Sequence, residues 1–161
     1  MARIEYPATG MGDHVDWALS RTDMAVGMGA FSSAVYEHSR LPLREREAAR
    51  YTIALINDCR VCRATRATHA AAADLDEAFY AAVADRRQTT ALTDRESLAA
   101  EFAERFALDH QAMDDTFWAR MREAFADDEI ADLTMSVAMW LGLGRALSVL
   151  DVAAPAERLL V

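Results

Sequence analysis

Alternation of apolar and polar residues is missing from this chain, which excludes half-buried β-strands as its framework. Glycine and proline are scarce, 6 and 3 among 161 residues, so helix formers run on with little punctuation and the fold class reads as all-α. Cationic clusters are missing too. Lys and Arg total 17 against 26 Asp and Glu, a net charge of −9, and the arginines are scattered among acidic residues. Neither nucleic acid nor an anionic membrane surface is an expected partner. The longest nearly uncharged run, Leu133 to Gly144 between Asp132 and Arg145, falls short of the ~20 residues of a membrane span. The N-terminal segment lacks a basic region followed by an apolar core, so no secretory signal is expected and a cytoplasmic location is.

What is present is a core. With 53% apolar residues in 161 and no repeat, linker or low-complexity tract, one helical domain is expected over residues 1–161. About six to eight helices can be drawn along it. A first runs from Asp13 to about His38, with Trp17, Met24, Met28, Phe31 and Val35 at helical spacing. Leu41-Pro42-Leu43 breaks it, and a second runs from about Leu43 to Ile56. Asp58 is placed to cap a third, through Cys62 to about Ala73. Asp74-Leu75-Asp76 turns into a short helix, Glu77 to Asp85. Thr93 and Glu96 form a capping box for a helix from Asp94 to about Asp109. Asp114 and Asp115 start another, and Asp127 caps a last long helix, Asp128 to about Leu150, apolar on most sides and read as the central one.

The chain has only two cysteines, and they fall three apart, at Cys59 and Cys62. A Cys-x-x-Cys pair near a helix start puts both sulfurs close to unpaired N–H groups, which favours the thiolate. In a reducing compartment such a pair points to redox or metal chemistry before a structural staple. On a continuous third helix, Cys59, Cys62, Arg66, His69 and Ala73 share one stripe. Arg66 would then stabilise a thiolate without accepting its proton, and His69 is the nearest group able to accept one. Twelve residues before Cys59 stands Glu47, on a face with Tyr51, Ala54 and Leu55. Apolar neighbours raise a carboxyl pKa and suit it to proton transfer, whereas the charge-rich turn Arg44-Glu45-Arg46-Glu47 reads as solvated surface.

Glu, eleven residues, Cys, two residues, Cys resembles the signature of the carboxymuconolactone decarboxylase and alkylhydroperoxidase D-like family. Glu45 to Arg50 and Leu55 to Cys62 carry it, the stretch Leu92 to Ala99 resembles the family's continuation, and the similarity spans about Leu41 to Leu150. The resemblance implies an all-helical fold that assembles as a homo-oligomer, a trimer or its multiple, with a dimer also compatible. It implies a thiol-dependent peroxidase in which Cys62 attacks a hydroperoxide, Cys59 resolves the sulfenic acid into a disulfide, and Glu47 belongs to a proton relay. A thiol or dithiol reductant would regenerate the pair. Arg66 occupies the position where the family places a histidine four residues after the second cysteine, and Val61 the position just before that cysteine, often aromatic or histidine. A redox-sensing or binding oligomer that forms the disulfide without turnover is the alternative on the same scaffold. Lactone decarboxylation is a further one, in a branch that generally lacks the cysteine pair.

Neither metal nor cofactor is expected. Structural zinc needs about four ligands, and beyond Cys59 and Cys62 the histidines His14, His38, His69 and His110 supply no paired second half. Covalent haem needs histidine directly after the second cysteine, where Arg63 stands. Gly142-Leu143-Gly144 lies in an apolar helix after no strand, so close helix packing explains it better than a nucleotide loop. His38 and His110 fall at helix ends, where histidines often interact with the last carbonyls. Met24, Met28, Met121, Met135 and Met139 are expected in the core or a subunit interface.

Overall fold

The structure, a computed structural model, describes residues 2–154; both ends of the expected 1–161 domain lie outside the described residues. The described residues are all-α. In chain order the helices are α1 (Asp13–Asp16), α2 (Thr22–His38), α3 (Leu43–Ile56), α4 (Arg60–Ala64), α5 (Glu77–Ala84), α6 (Asp94–Leu108), α7 (Asp115–Ala124) and α8 (Asp127–Val149). Single 3₁₀ turns stand at Ala18–Arg21, Ala70–Ala73 and His110–Ala112.

Several boundaries follow from local chemistry. The Thr93 hydroxyl accepts from Glu96 N–H while Glu96 accepts from Thr93 N–H, so the capping box opens α6 as expected. Asp76 and Asp114 cap α5 and α7 through the N–H groups of Phe79 and Phe117. At α8 the cap position is held by Ala126, not Asp127, because the Glu129 carboxylate reaches back to Ala126 N–H at 2.9 Å. Asp127 is instead in the first turn, where its charge favours the helix dipole.

The expected helix from Asp13 to His38 is interrupted. The Trp17 indole N–H donates to His14 O at 3.0 Å, taking the carbonyl a continuous helix offers to residue 18. The backbone tightens into the 3₁₀ turn at Ala18–Arg21 and restarts as α2.

The centre belongs to α3 rather than to α8. Glu47, Ala48, Ala49 and Ile53 are fully buried, and α3 packs most extensively against α6, then α8. Ala48 and Ala49 on α3, with Ala99, Ala100 and Ala103 on α6, let the two backbones approach closely. Phe102, Phe117, Met121, Leu133, Val137 and Trp140 fill the space around Ile53. By length and composition α8 would pass as a membrane span. Its Leu133, Val137 and Trp140 side chains are nevertheless buried in the core, while Met135 and Val149 are exposed. The methionines divide likewise, with Met121 and Met139 buried and Met24 exposed.

Candidate functional site

The third helix departs most from its expected course, and the departure shapes the site. Asn57 ends α3 and Asp58 takes a left-handed backbone (φ 46°) rather than a cap position. The cap of α4 is Cys59, whose sulfur accepts from Cys62 N–H at 3.1 Å. Cys59 and Cys62 are joined as a disulfide. After one turn α4 stops, because side chains occupy the carbonyls that a longer helix would use. Thr65 Oγ1 donates to Val61 O at 3.1 Å, Arg50 Nη1 to Cys62 O at 2.9 Å, and Arg66 Nη1 to Arg63 O at 2.7 Å.

The stripe of Cys59, Cys62, Arg66, His69 and Ala73 therefore does not form. Arg66 turns toward α5, where Nε and Nη2 grip the Glu77 carboxylate at 3.0 and 2.9 Å and the guanidinium lies 4.1 Å from the Tyr80 ring centroid. That pairing raises the Arg66 pKa. His69 is exposed at the start of the 3₁₀ turn.

Glu47 is buried, not solvated. Arg50 Nε and Nη2 donate to its two oxygens at 2.7 and 2.8 Å, and the Tyr80 hydroxyl adds a third bond at 2.9 Å. Burial works against the Arg50 charge, but the Glu47 carboxylate outweighs it and holds the guanidinium pKa above its ordinary value. Burial, reinforced by Glu47, pushes the Tyr80 phenol up to about 12. Arg50 also donates to Thr65 O at 3.1 Å, so one guanidinium links the Glu47 carboxylate to the main chain of the turn carrying Cys62.

The two sulfurs differ in access. Cys59 is 0% exposed, packed with Val61 and Val152. Cys62 is half-buried and borders a cavity of about 460 Å³. Trp17, Met28, Met139, Leu143 and Leu147 give that cavity apolar walls, and its polar groups come from His14, Thr22, Ser32, Tyr36, Arg50 and Thr65. The Tyr36 hydroxyl accepts from the Trp140 indole at 3.1 Å, and burial raises its pKa. On the α8 side the wall is Gly144. A Cβ there would lie 2.9 Å from Asn57 Nδ2 and 3.1 Å from Cys62 Sγ, so the close-packing explanation holds at Gly144. At Gly142 nothing lies within 4 Å. Asn57 is fixed in turn by donating to Trp140 O and Leu141 O and accepting from Arg145.

The structure thus brings Cys59, Cys62 and, through Arg50, Glu47 together, and directs Arg66 and His69 elsewhere. Arg50, Tyr80 and Asn57 escaped sequence reasoning, whereas Gly144 is expected there as a close-packing position, without its neighbours Asn57 and Cys62. The Glu47-x-x-Arg50 spacing inside an otherwise alanine-rich helix was the available signal, since an i,i+3 ion pair on a buried face must be satisfied internally. Among the described residues, no group of three or more His, Cys, Asp and Glu is placed to hold a metal ion.

Comparison with known proteins places the fold. No family model and no curated protein matches the chain. The crystal structure of an uncharacterized peroxidase-related protein from Silicibacter sp. TM1040 is similar, with a TM-score of 0.72 at 19% identity over 86% of this chain and 73% of that one. The chain is an all-α protein sharing its fold with that peroxidase-related structure, and it carries a Cys-x-x-Cys disulfide.

Proposed function

We propose that the protein is a thiol-dependent peroxidase of the alkylhydroperoxidase D-like type. The observation that carries the reading is the asymmetry of the sulfur pair: Cys62 borders an apolar cavity while Cys59 is sealed behind it. In the reduced protein the Cys62 thiolate attacks a hydroperoxide oxygen. The S–O bond forms, the O–O bond breaks, and the alkoxide leaves and is protonated to the alcohol. Cys59 then attacks the Cys62 sulfenic acid, water leaves, and the disulfide forms. Its Cys62 N–H bond favours negative charge on the Cys59 sulfur. Arg50 is the cation beside the cavity, in place of Arg66, and Glu47 acts through it as a positioning residue. A thiol or dithiol donor in a reducing compartment such as the cytoplasm regenerates the pair. Exposed Met24, Val26 and Phe31 on α2, with Met135 on α8, support assembly as a homo-oligomer.

The test is hydroperoxide consumption by the reduced protein with dithiothreitol as donor. Turnover that vanishes in Cys62→Ser supports the reading; turnover undiminished in that variant contradicts it. One observation favours a second reading, a redox sensor that forms the disulfide without turnover. Both Glu47 oxygens are engaged by Arg50 and Tyr80, so the Glu47 carboxylate is directed at those two groups and not at Cys62. Stoichiometric oxidation without catalytic turnover is the result that selects it.

A further inference from the structure

When the O–O bond of a hydroperoxide breaks, the departing oxygen takes the electron pair and becomes an alkoxide. Walls such as Trp17, Met28 and Met139 do nothing for that charge, so a hydrogen-bond donor on the cavity wall decides how readily it leaves. Most of the wall's polar hydrogens are already spent. Arg50 makes four bonds with its five N–H groups, to Glu47, Cys62 O and Thr65 O. The Thr65 hydroxyl donates to Val61 O and the Thr22 hydroxyl to Leu19 O. Tyr36 is different. Its oxygen accepts the Trp140 indole hydrogen at 3.1 Å, and its own hydrogen has no acceptor among the described residues. The residue is also held firmly. The Trp140 ring lies 6.4 Å from the phenol ring, the Arg46 guanidinium covers the phenol at 5.7 Å, and Arg46 Nη1 donates to Tyr36 O at 3.1 Å. His14 and Ser32 complete the polar wall, and among the described residues no bond fixes their side chains.

We propose that Tyr36 is a catalytic residue that donates its hydroxyl hydrogen to the departing oxygen while Cys62 takes the terminal one. The inference rests on the peroxidase reading and supplies the proton that its first step requires. The Cys62 thiolate forms the S–O bond, the O–O bond breaks with its electron pair passing to the alkoxide, and the Tyr36 proton converts the alkoxide to the alcohol. Cys62 keeps the terminal oxygen and its hydrogen as the sulfenic acid. The Tyr36 phenolate then regains a proton from solvent, matching the one released when the Cys62 thiol ionised. Burial keeps the phenol protonated beforehand, against the opposing pull of the Arg50 charge. Arg50 also ties the two groups together, since it donates to Cys62 O at 2.9 Å and its charge reaches the Tyr36 hydroxyl. The bond accepted from the Trp140 indole both orients the hydroxyl and polarises it as a donor.

The test compares two oxidants that differ in what they release. Tert-butyl hydroperoxide expels an alkoxide, which needs a proton, whereas peracetic acid expels acetate, which does not. Single-turnover oxidation of the reduced full chain is followed as thiol loss by stopped flow, for wild type and Tyr36→Phe. Loss of the donor should slow the reaction with tert-butyl hydroperoxide about 100-fold and that with peracetic acid by less than about threefold. A merely structural disturbance, such as the unpaired Trp140 indole left in Tyr36→Phe, would slow both alike, and the ratio of the two rates is insensitive to the fraction of the variant that folds. Equal slowing with both oxidants, or none with either, overturns the assignment. So does a selective loss found in His14→Gln or Ser32→Ala in place of Tyr36→Phe. A wild type that is oxidised once without turnover, and more slowly by tert-butyl hydroperoxide alone in Tyr36→Phe, supports the donor and removes the peroxidase reading. A wild type that turns over with Tyr36→Phe unaffected keeps that reading and removes the donor. A wild type no faster than free cysteine toward tert-butyl hydroperoxide overturns both.

Discussion

Arg50 Nη1 donates to the main-chain carbonyl of Cys62 at 2.9 Å, so the buried Glu47–Arg50 pair and the turn carrying the cavity sulfur form one unit. Removing the guanidinium alone would strand a carboxylate that is 0% exposed. Arg50→Ala should therefore cost about 3–5 kcal/mol of unfolding free energy. The double variant Glu47→Gln/Arg50→Met should lose less than Arg50→Ala alone, because no unpaired charge remains. Urea denaturation of both measures the difference, and a double variant less stable than Arg50→Ala would contradict the arrangement.

Tyr80 makes alkaline stability diagnostic. Its phenol is pushed up to about 12 by burial and by Glu47, whereas in the unfolded chain it ionises near the ordinary value of about 10. The folded state holds the proton more tightly, so this contribution is fully present below about pH 10 and is lost as pH rises through about 12. Tyr36, also raised by burial, adds in the same direction. Unfolding free energy should fall across that window, and Tyr80→Phe should flatten part of the fall. An identical pH profile in wild type and variant would contradict the Tyr80–Glu47 bond.

The two glycines of α8 should behave oppositely. In Gly144→Ala the new methyl meets Asn57, which three hydrogen bonds hold in place, and the Cys62 sulfur. Overpacking of this kind costs about 1–3 kcal/mol, and displacement of Cys62 should alter its reactivity. Gly142→Ala meets nothing and should be neutral or stabilising by up to about 1 kcal/mol, as helix propensity dictates. Thermal unfolding of the pair separates the two cases.

Arg66→His should not create a relay. The side chain at this position points to Glu77 and Tyr80, so the substitution removes the bonds to Arg63 O and Thr65 O that end α4. The expected result is a loss of about 1–2 kcal/mol with hydroperoxide turnover not increased. A sharp gain in turnover would mean that α4 lengthens and carries the imidazole back to Cys62.

Much of the framework was legible in the sequence because its signals are local. Thr93 with Glu96, Asp76 and Asp114 act within one turn of their own helices, and α5, α6 and α7 start where those residues put them. The cysteine pair was equally plain. The course of the chain after Cys62 was not, because α4 is stopped by guanidinium groups, one of them from α3, twelve residues earlier. Helical periodicity cannot register a carbonyl captured by a distant side chain. The same non-local bonding turned Glu47 from a candidate surface residue into a buried one, and left α3 rather than the more apolar α8 at the centre.

The most direct measurement follows hydroperoxide loss and free thiol count together in wild type, Cys59→Ser and Cys62→Ser, starting from reduced protein. Without added donor, one hydroperoxide and two thiols should be lost per wild-type chain, and the loss should become catalytic once dithiothreitol is supplied; Cys59→Ser should show a single oxidation at Cys62 and no intramolecular disulfide, and Cys62→Ser no reaction. Hydroperoxide loss in Cys62→Ser equal to that of wild type would contradict the account.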